Sequence, residues 1–400
     1  MRASAAPVSS RTRRAAALAA WLLAALALQE VVLRLVFPLP ELASFNRVDY
    51  MRLAAPADRH PLRSLRLVWE SEPDAVRFVH RLNAYGFRDR EWRLAKRPGV
   101  PRVFFVGDSF VEGTMAADDQ TIPRAFEAAA AREGLRVDAM NLGVMGADLG
   151  HAFQLVHDAA PLFAPDAVIL VIFANDLPTS GIAVTSRAAE RFDARVPRLA
   201  AVARLLAAGE MPPLAWPLRE VRYHVPASDP RQPWHGREAE VRARVRPDVA
   251  EAVLAGRFNP YRVGGAGYLV EPLRMPIAME EPLRFLSRTA ARAGARLFVA
   301  YLPDRTQVTR RYAPFEAALG APGVDLTAAG FQAHRRALVR ECRAAGVPFL
   351  DLLPLLRRAD ASAGPLWWDY DDHMRAEGYR LVGEALFAWW SRARSGAPGP

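Results

Sequence analysis

Three short stretches limit what this chain can fold into: "RVFFVG" at 102–107, "DAVILVIF" at 166–173 and "ARLFVAYL" at 295–302. Each is almost continuously apolar, too short to cross a membrane, and set between segments with helical spacing. A strand that is apolar on both faces has to be covered on both faces, and strands of this kind that alternate with helices build a parallel sheet. The helical stretch "TIPRAFEAAAAREG" (121–134) leads into "LRVDAMNLG" (135–143), and "DLGHAFQLVHDAAPLF" (148–163) leads into the second apolar run. The same grammar returns late: "EPLRFLSRTAARAG", then the third run, a helix carrying Cys342, the strand "VPFLDLLP" and a last helix from about Arg375 to Trp390. The pattern predicts an α/β fold with a central parallel sheet.

In open parallel sheets ligands collect beyond the carboxyl ends of the strands. Three expected strand ends carry polar residues there: Gly107-Asp108-Ser109, the block Asn141 to Gly146, and Phe173 to Asp176. Ser109 falls where a strand turns toward a helix, and Gly107 is expected to ease that turn. A serine so placed serves as a nucleophile when a base and an oxyanion site meet it.

Together these blocks resemble the SGNH, or GDSL-type, hydrolase superfamily, whose members bring together a Ser, a Gly, an Asn and a His. The fourth block, "WDYDDHMRAEGYRLVGEAL", supplies His373 and runs into a helix. "LNAYGFRDREW" (82–92) is similar to a segment that precedes the first block in membrane-anchored bacterial members, and "VAYLPDRTQV" (299–308) to one shared with polysaccharide O-acetylation proteins. The resemblance spans about residues 80–390, with 180–270 unmatched. It implies a flavodoxin-like three-layer α/β/α fold and catalysis by Ser109 with His373 as base. It also implies an oxyanion hole built from the N–H groups of Ser109 and Gly146 and the side-chain amide of Asn175, with neither metal nor cofactor.

The chain departs from the family pattern at several places. Gly143 and Gly146 compete for the oxyanion role, and Gly146 has the family spacing. Phe173 replaces the usual glycine of the third block. Tyr370 stands where the triad acid is usual, so Asp369, Asp371 and Asp372 are all candidates. Asp371 is the choice, because Asp-x-His spacing occurs in related acyl-transferring members and a residue adjacent to the histidine points away on an extended chain. Arg375 replaces a usual asparagine. Asp108 and Asp176 read as acids that order turns.

At the N-terminus, Arg2, Arg11, Arg13 and Arg14 precede the uncharged run Ala15 to Leu28, and apolar character resumes after Glu30. Basic residues ahead of an apolar run hold that end in the cytoplasm. The expected reading is a single-pass signal anchor over 15–37 in the inner membrane, with the rest facing the periplasm. Ala25-Leu26-Ala27 leaves a cleaved signal peptide as the alternative. The expected division is a basic tail at 1–14, a lead-in at 38–98, a hydrolase domain at 99–390 with an insertion or lid at about 180–270, and a tail at 391–400.

The formal net charge of +10 does not point to nucleic acid. The basic residues are spread along the chain, and no basic run interleaved with aromatics occurs beyond the N-terminus. Cys342 is the only cysteine, so an intrachain disulfide and a cysteine-based metal site are excluded. The cluster Asp369 to His373 lacks a second histidine at ligand spacing. No dinucleotide fingerprint or P-loop follows an expected strand. The reading is a serine esterase acting on acyl or acetyl esters of small molecules or glycans. The alternatives are an O-acyltransferase or acetyl-esterase on envelope or secreted polysaccharide, and, in another class, a glycan- or partner-binding domain without turnover.

Overall fold

The computed structural model describes residues 10–36, 66–71, 76–81, 83, 87–176, 199–200, 220–222, 225–230 and 232–394. Most of the basic tail, the lead-in through residue 65, the end of the C-terminal tail and residues 177–198 and 201–219 of the middle region lie outside the described residues.

The described residues contain eight strands in two sheets: β1 (Arg66–Ser71), β2 (Val76–Arg81), β3 (Arg102–Gly107), β4 (Asp138–Gly143), β5 (Ala167–Phe173), β6 (Glu220–Arg222), β7 (Arg296–Leu302) and β8 (Phe349–Asp351). The larger sheet runs β4-β3-β5-β7-β8, and every pairing in it is parallel. In order of appearance this is 2-1-3-4-5, the flavodoxin-like arrangement the resemblance implies. All residues of β3 and β5 are buried, as their two-sided apolar runs require.

The connections change direction at β3, and right-handed crossovers then put helices on opposite faces. Helices Ile122–Arg132 and Ala376–Arg394 pack together on one face. Helices Leu149–Phe163, Glu280–Arg292 and Ala333–Ala344 cover the other. The change of direction opens a crevice beyond the carboxyl ends of β3 and β5, the usual ligand position in such sheets. At the opposite end of the sheet, Arg102 is buried in β3 and donates to the carbonyls of Phe163 (2.6 Å), Leu94 (3.1 Å) and Arg93 (3.0 Å). Its charge is met by Asp138 at 3.1 Å.

Cys342 is buried on helix Ala333–Ala344, and burial pushes its thiol up to about 12. Two features escape the sequence pattern. Residues 66–71 and 76–81 of the lead-in form β1 and β2, which join β6 of the middle region in a separate three-stranded sheet. Residues 238–254 form two short helices, Glu238–Arg244 and Pro247–Leu254, with a small core of their own around Val241, Val249 and Val253.

The N-terminal helix Ser10–Val36 runs straight through Gln29 and Glu30. Its 20-residue segment Arg13–Val32 is long and apolar enough to be a membrane span or a signal sequence. Trp21, Leu22, Leu23 and Leu28 on it are exposed.

Candidate active site

β3 ends at Gly107, and Asp108 caps the one-turn helix Ser109–Glu112 by accepting from Phe110 N at 3.0 Å. Gly107 is required for space rather than for backbone freedom. A Cβ there would lie 2.7 Å from the carbonyl oxygen of Val171 and 2.6 Å from the Val111 side chain. The turn the sequence assigns to this glycine is made instead by the Asp108 cap.

The fourth block brings His373 onto Ser109. His373 Nε2 is 2.8 Å from Ser109 Oγ, and Nδ1 is 2.5 Å from Asp371 Oδ1. The same Asp371 oxygen accepts from the His373 backbone N–H at 2.9 Å, fixing the loop and the ring together. Burial works against a charged imidazole, but the carboxylate of Asp371, with Asp372 and Asp108 nearby, outweighs it and raises His373 to about 8. Asp371 is pushed up by burial and pulled down further by His373 and Arg262, and ends well below the usual carboxylate range.

The four other acids of the region are each held differently. Asp372 lies 3.6 Å from His373 Nδ1 but is held by Arg262 at 2.8 Å. Asp369 faces Arg375 at 3.7 Å. Asp108 is raised to about 7 by burial, and Asp176 is raised well above the usual range by burial and by the charge of Asp108. Asp176 accepts from Phe173 N at 2.8 Å and so closes the turn after β5.

The other strand ends flank Ser109. Gly143 ends β4 in register with Gly107, and a Cβ on it would sit 2.1 Å from Glu112 N, so it is the glycine of close packing. Gly146 is exposed, with φ 72° in the left-handed region, in a turn closed by Ala147 N–H donating to Val144 O at 2.9 Å. That is the turn position glycine supplies without strain. Asn175 is exposed in the turn after β5. Phe173, in place of the usual glycine, packs 4.0 Å centroid to centroid on Phe110, whose ring lies 5.0 Å from the His373 imidazole.

Residues 103–257 match the model of the GDSL-like Lipase/Acylhydrolase family. This part of the chain is a GDSL-like lipase/acylhydrolase domain, a hydrolase of the SGNH type. The match includes Ser109, Gly146 and Asn175 but stops short of His373 and Asp371, which the fold alone brings to the serine. Three solved structures overlap the hydrolase. A lipase/acylhydrolase from Enterococcus faecalis is 13% identical with a TM-score of 0.37, over 74% of this chain and 97% of the other. The psychrotrophic esterase EstA from Pseudoalteromonas sp., inhibited by monoethylphosphonate, is 9% identical with a TM-score of 0.34, over 74% and 98%. An acetyl xylan esterase, AlAXEase, is 9% identical with a TM-score of 0.35, over 72% and 98%. No curated protein matches the chain.

In this hydrolase the middle region contributes to the site wall. Asn259 Nδ2 donates to the second oxygen of Asp371 at 3.2 Å, and Tyr268 Oη donates to Asp372 at 3.2 Å. Arg262 bridges Asp372 and Glu316, both at 2.8 Å. Arg305, from the "YLPDR" segment, is fully buried and donates to Glu316 at 2.6 Å, to the carbonyl of Asp371 at 2.8 Å and to the carbonyl of Trp368. Tyr370 does not take the triad acid's place. It stacks on Phe258 at 5.3 Å and accepts from Arg246 at 2.6 Å, pinning the middle region to the histidine loop.

None of Asn259, Arg262, Glu316 and Tyr268 stands out in the sequence, and Arg305 is visible only through the segment that carries it. Asn83 and Arg88 act as packing. Asn83 accepts from Phe87 N at 3.1 Å, and Arg88 holds the loop after the serine helix through the carbonyls of Gly113 and Ala116.

Proposed function

We propose that this hydrolase is a serine esterase that cleaves acyl or acetyl esters through an acyl-enzyme on Ser109. The observation that carries the reading is the continuous hydrogen-bonded line Ser109–His373–Asp371 at the switch point of the sheet. Ser109 Oγ attacks the ester carbonyl while His373 Nε2 takes its proton, and the proton then passes to the leaving alcohol. Water, deprotonated by the same nitrogen, attacks the acyl-enzyme and releases the acid. Asp371 holds the imidazole with Nδ1–H toward itself, leaving Nε2 free to accept. The N–H groups of Ser109 and Gly146 and the amide of Asn175 serve the developing oxyanion. The apolar run of the N-terminal helix, preceded by arginines in the helix's first turns, supports a tethered enzyme whose catalytic part faces away from the cytoplasm.

Intact-mass spectrometry after fluorophosphonate treatment of the detergent-solubilised chain tests this. One adduct is expected on wild type and none on Ser109→Ala or His373→Ala. A folded wild type that takes no adduct would sink the acyl-enzyme reading.

The raised His373 fixes the expected pH dependence. Only the neutral imidazole accepts the serine proton, so kcat/KM is expected to rise with pH through about 8 and then level off. A pH–rate profile with its midpoint at or below 6 contradicts the carboxylate-raised imidazole.

A further inference from the structure

Glu112 ends the serine helix and is fully buried, yet it takes no part in the triad. One carboxylate oxygen accepts from Met145 N at 2.7 Å, and the other lies 3.2 Å from His80 Nδ1. His80 is itself fully buried and comes from β2, in the sheet of the lead-in segment. A carboxylate in such a place is costly to bury unless it is hydrogen-bonded, so its position follows these partners closely.

The partner at Met145 is the informative one. Met145 is the second residue of the Val144–Ala147 turn, and Gly146 follows it. Val144 N donates to Gly107 O at 3.1 Å, which ties the start of the turn to β3. Glu112 adds a second tie, from the helix that begins with Ser109. The absence of a side chain at Gly143 lets that helix lie directly against the end of β4. One side chain thereby joins the serine helix directly to the turn that carries the Gly146 amide.

We propose that Glu112 is a positioning residue for the oxyanion site, and that His80 of the lead-in sheet holds it there. The segment between the membrane-type helix and the hydrolase domain is then a working part of the site as well as a connection. This rests on the reading of Ser109 as nucleophile and Gly146 as oxyanion donor. Oxyanion donors act only when aimed at the charge that forms in the transition state, and a shift of about 1 Å in such a group costs about 10²-fold in rate.

The test compares Glu112→Ala, Glu112→Gln and His80→Phe in the detergent-solubilised chain. For each, kcat and KM are measured on a p-nitrophenyl ester, together with the Ki of a trifluoromethyl ketone, whose serine adduct carries an oxyanion. Glu112→Ala is expected to lose about 10²-fold in kcat with KM nearly unchanged, and Ki should rise in proportion. Glu112→Gln should recover most of the loss, since its amide oxygen can still accept from Met145 N while its NH2 faces His80. His80→Phe keeps the volume, should lose about tenfold in kcat with the same proportionate rise in Ki, and carries the comparison where Glu112→Ala does not fold. A kcat loss with Ki unmoved, or no loss at all, overturns the proposal alone. A wild type inert to fluorophosphonate overturns the nucleophile reading beneath it, and shows this before any variant is compared.

Discussion

Ester turnover by Ser109→Ala is expected to fall by about 10⁴–10⁶-fold, and the double variant Ser109→Ala/His373→Ala to fall no further than either single change. The reason is mechanical. In the proposed mechanism Oγ and Nε2, 2.8 Å apart, share one proton-transfer step, so removing either leaves the other with nothing to do. What survives comes from binding and the oxyanion donors.

The same measurement separates the two acids nearest the imidazole. Asp371→Asn is expected to cost about 10⁴-fold, because an amide facing Nδ1 no longer selects the tautomer that leaves Nε2 free. Asp372→Asn should cost far less. Its carboxylate lies 3.6 Å from Nδ1 and is occupied by Arg262, so its loss mainly lowers the imidazole's pKa and moves the pH–rate midpoint down. Equal losses at the two positions would refute the choice of Asp371.

The sheet was legible because its strands are buried on both faces. Continuous runs such as Ala167–Phe173 have no polar face to offer solvent, and the helices between them have clear apolar stripes. The polar residues at three strand ends were legible for a related reason: a buried strand that stops at Gly107 or Phe173 has to deliver its next residues to the rim. The rest depends on long-range geometry. Asn259 and Arg262 reach acids 112 and 110 residues away from an irregular segment with no period to read. The lead-in strands were missed because strands this short, beside many arginines, carry little alternation. Gly107 shows a subtler limit, since sequence marks a glycine but not whether it serves conformation or space.

Arg305→Met is expected to destabilise the fold by about 3–5 kcal/mol, the usual cost of stripping one partner from a buried ion pair. The Arg305 guanidinium is fully buried over the ring of Tyr312, 4.7 Å from its centroid, and meets Glu316 through two nitrogens at 2.6 and 2.9 Å. Without it Glu316 keeps, among the described residues, Arg262 and the N–H of Ala266, at 2.8 and 2.6 Å. The carbonyls of Trp368 and Asp371 also lose their donor, which loosens the loop that carries His373. Urea unfolding should therefore show a lower midpoint, and kcat should fall as well, although Arg305 touches neither Ser109 nor His373. The double variant Arg305→Met/Glu316→Met sharpens the argument. A buried pair exchanged for apolar side chains of similar volume escapes the desolvation of both charges, so the double should lose less than the sum of the singles. Arg262 would still be held by Asp372, and so would not be left as a lone buried charge. An Arg305→Met protein within about 1 kcal/mol of wild type would mean that water or a shifted side chain replaces the guanidinium, and that the histidine loop is held by its aromatic contacts to Phe258 and Phe315 instead.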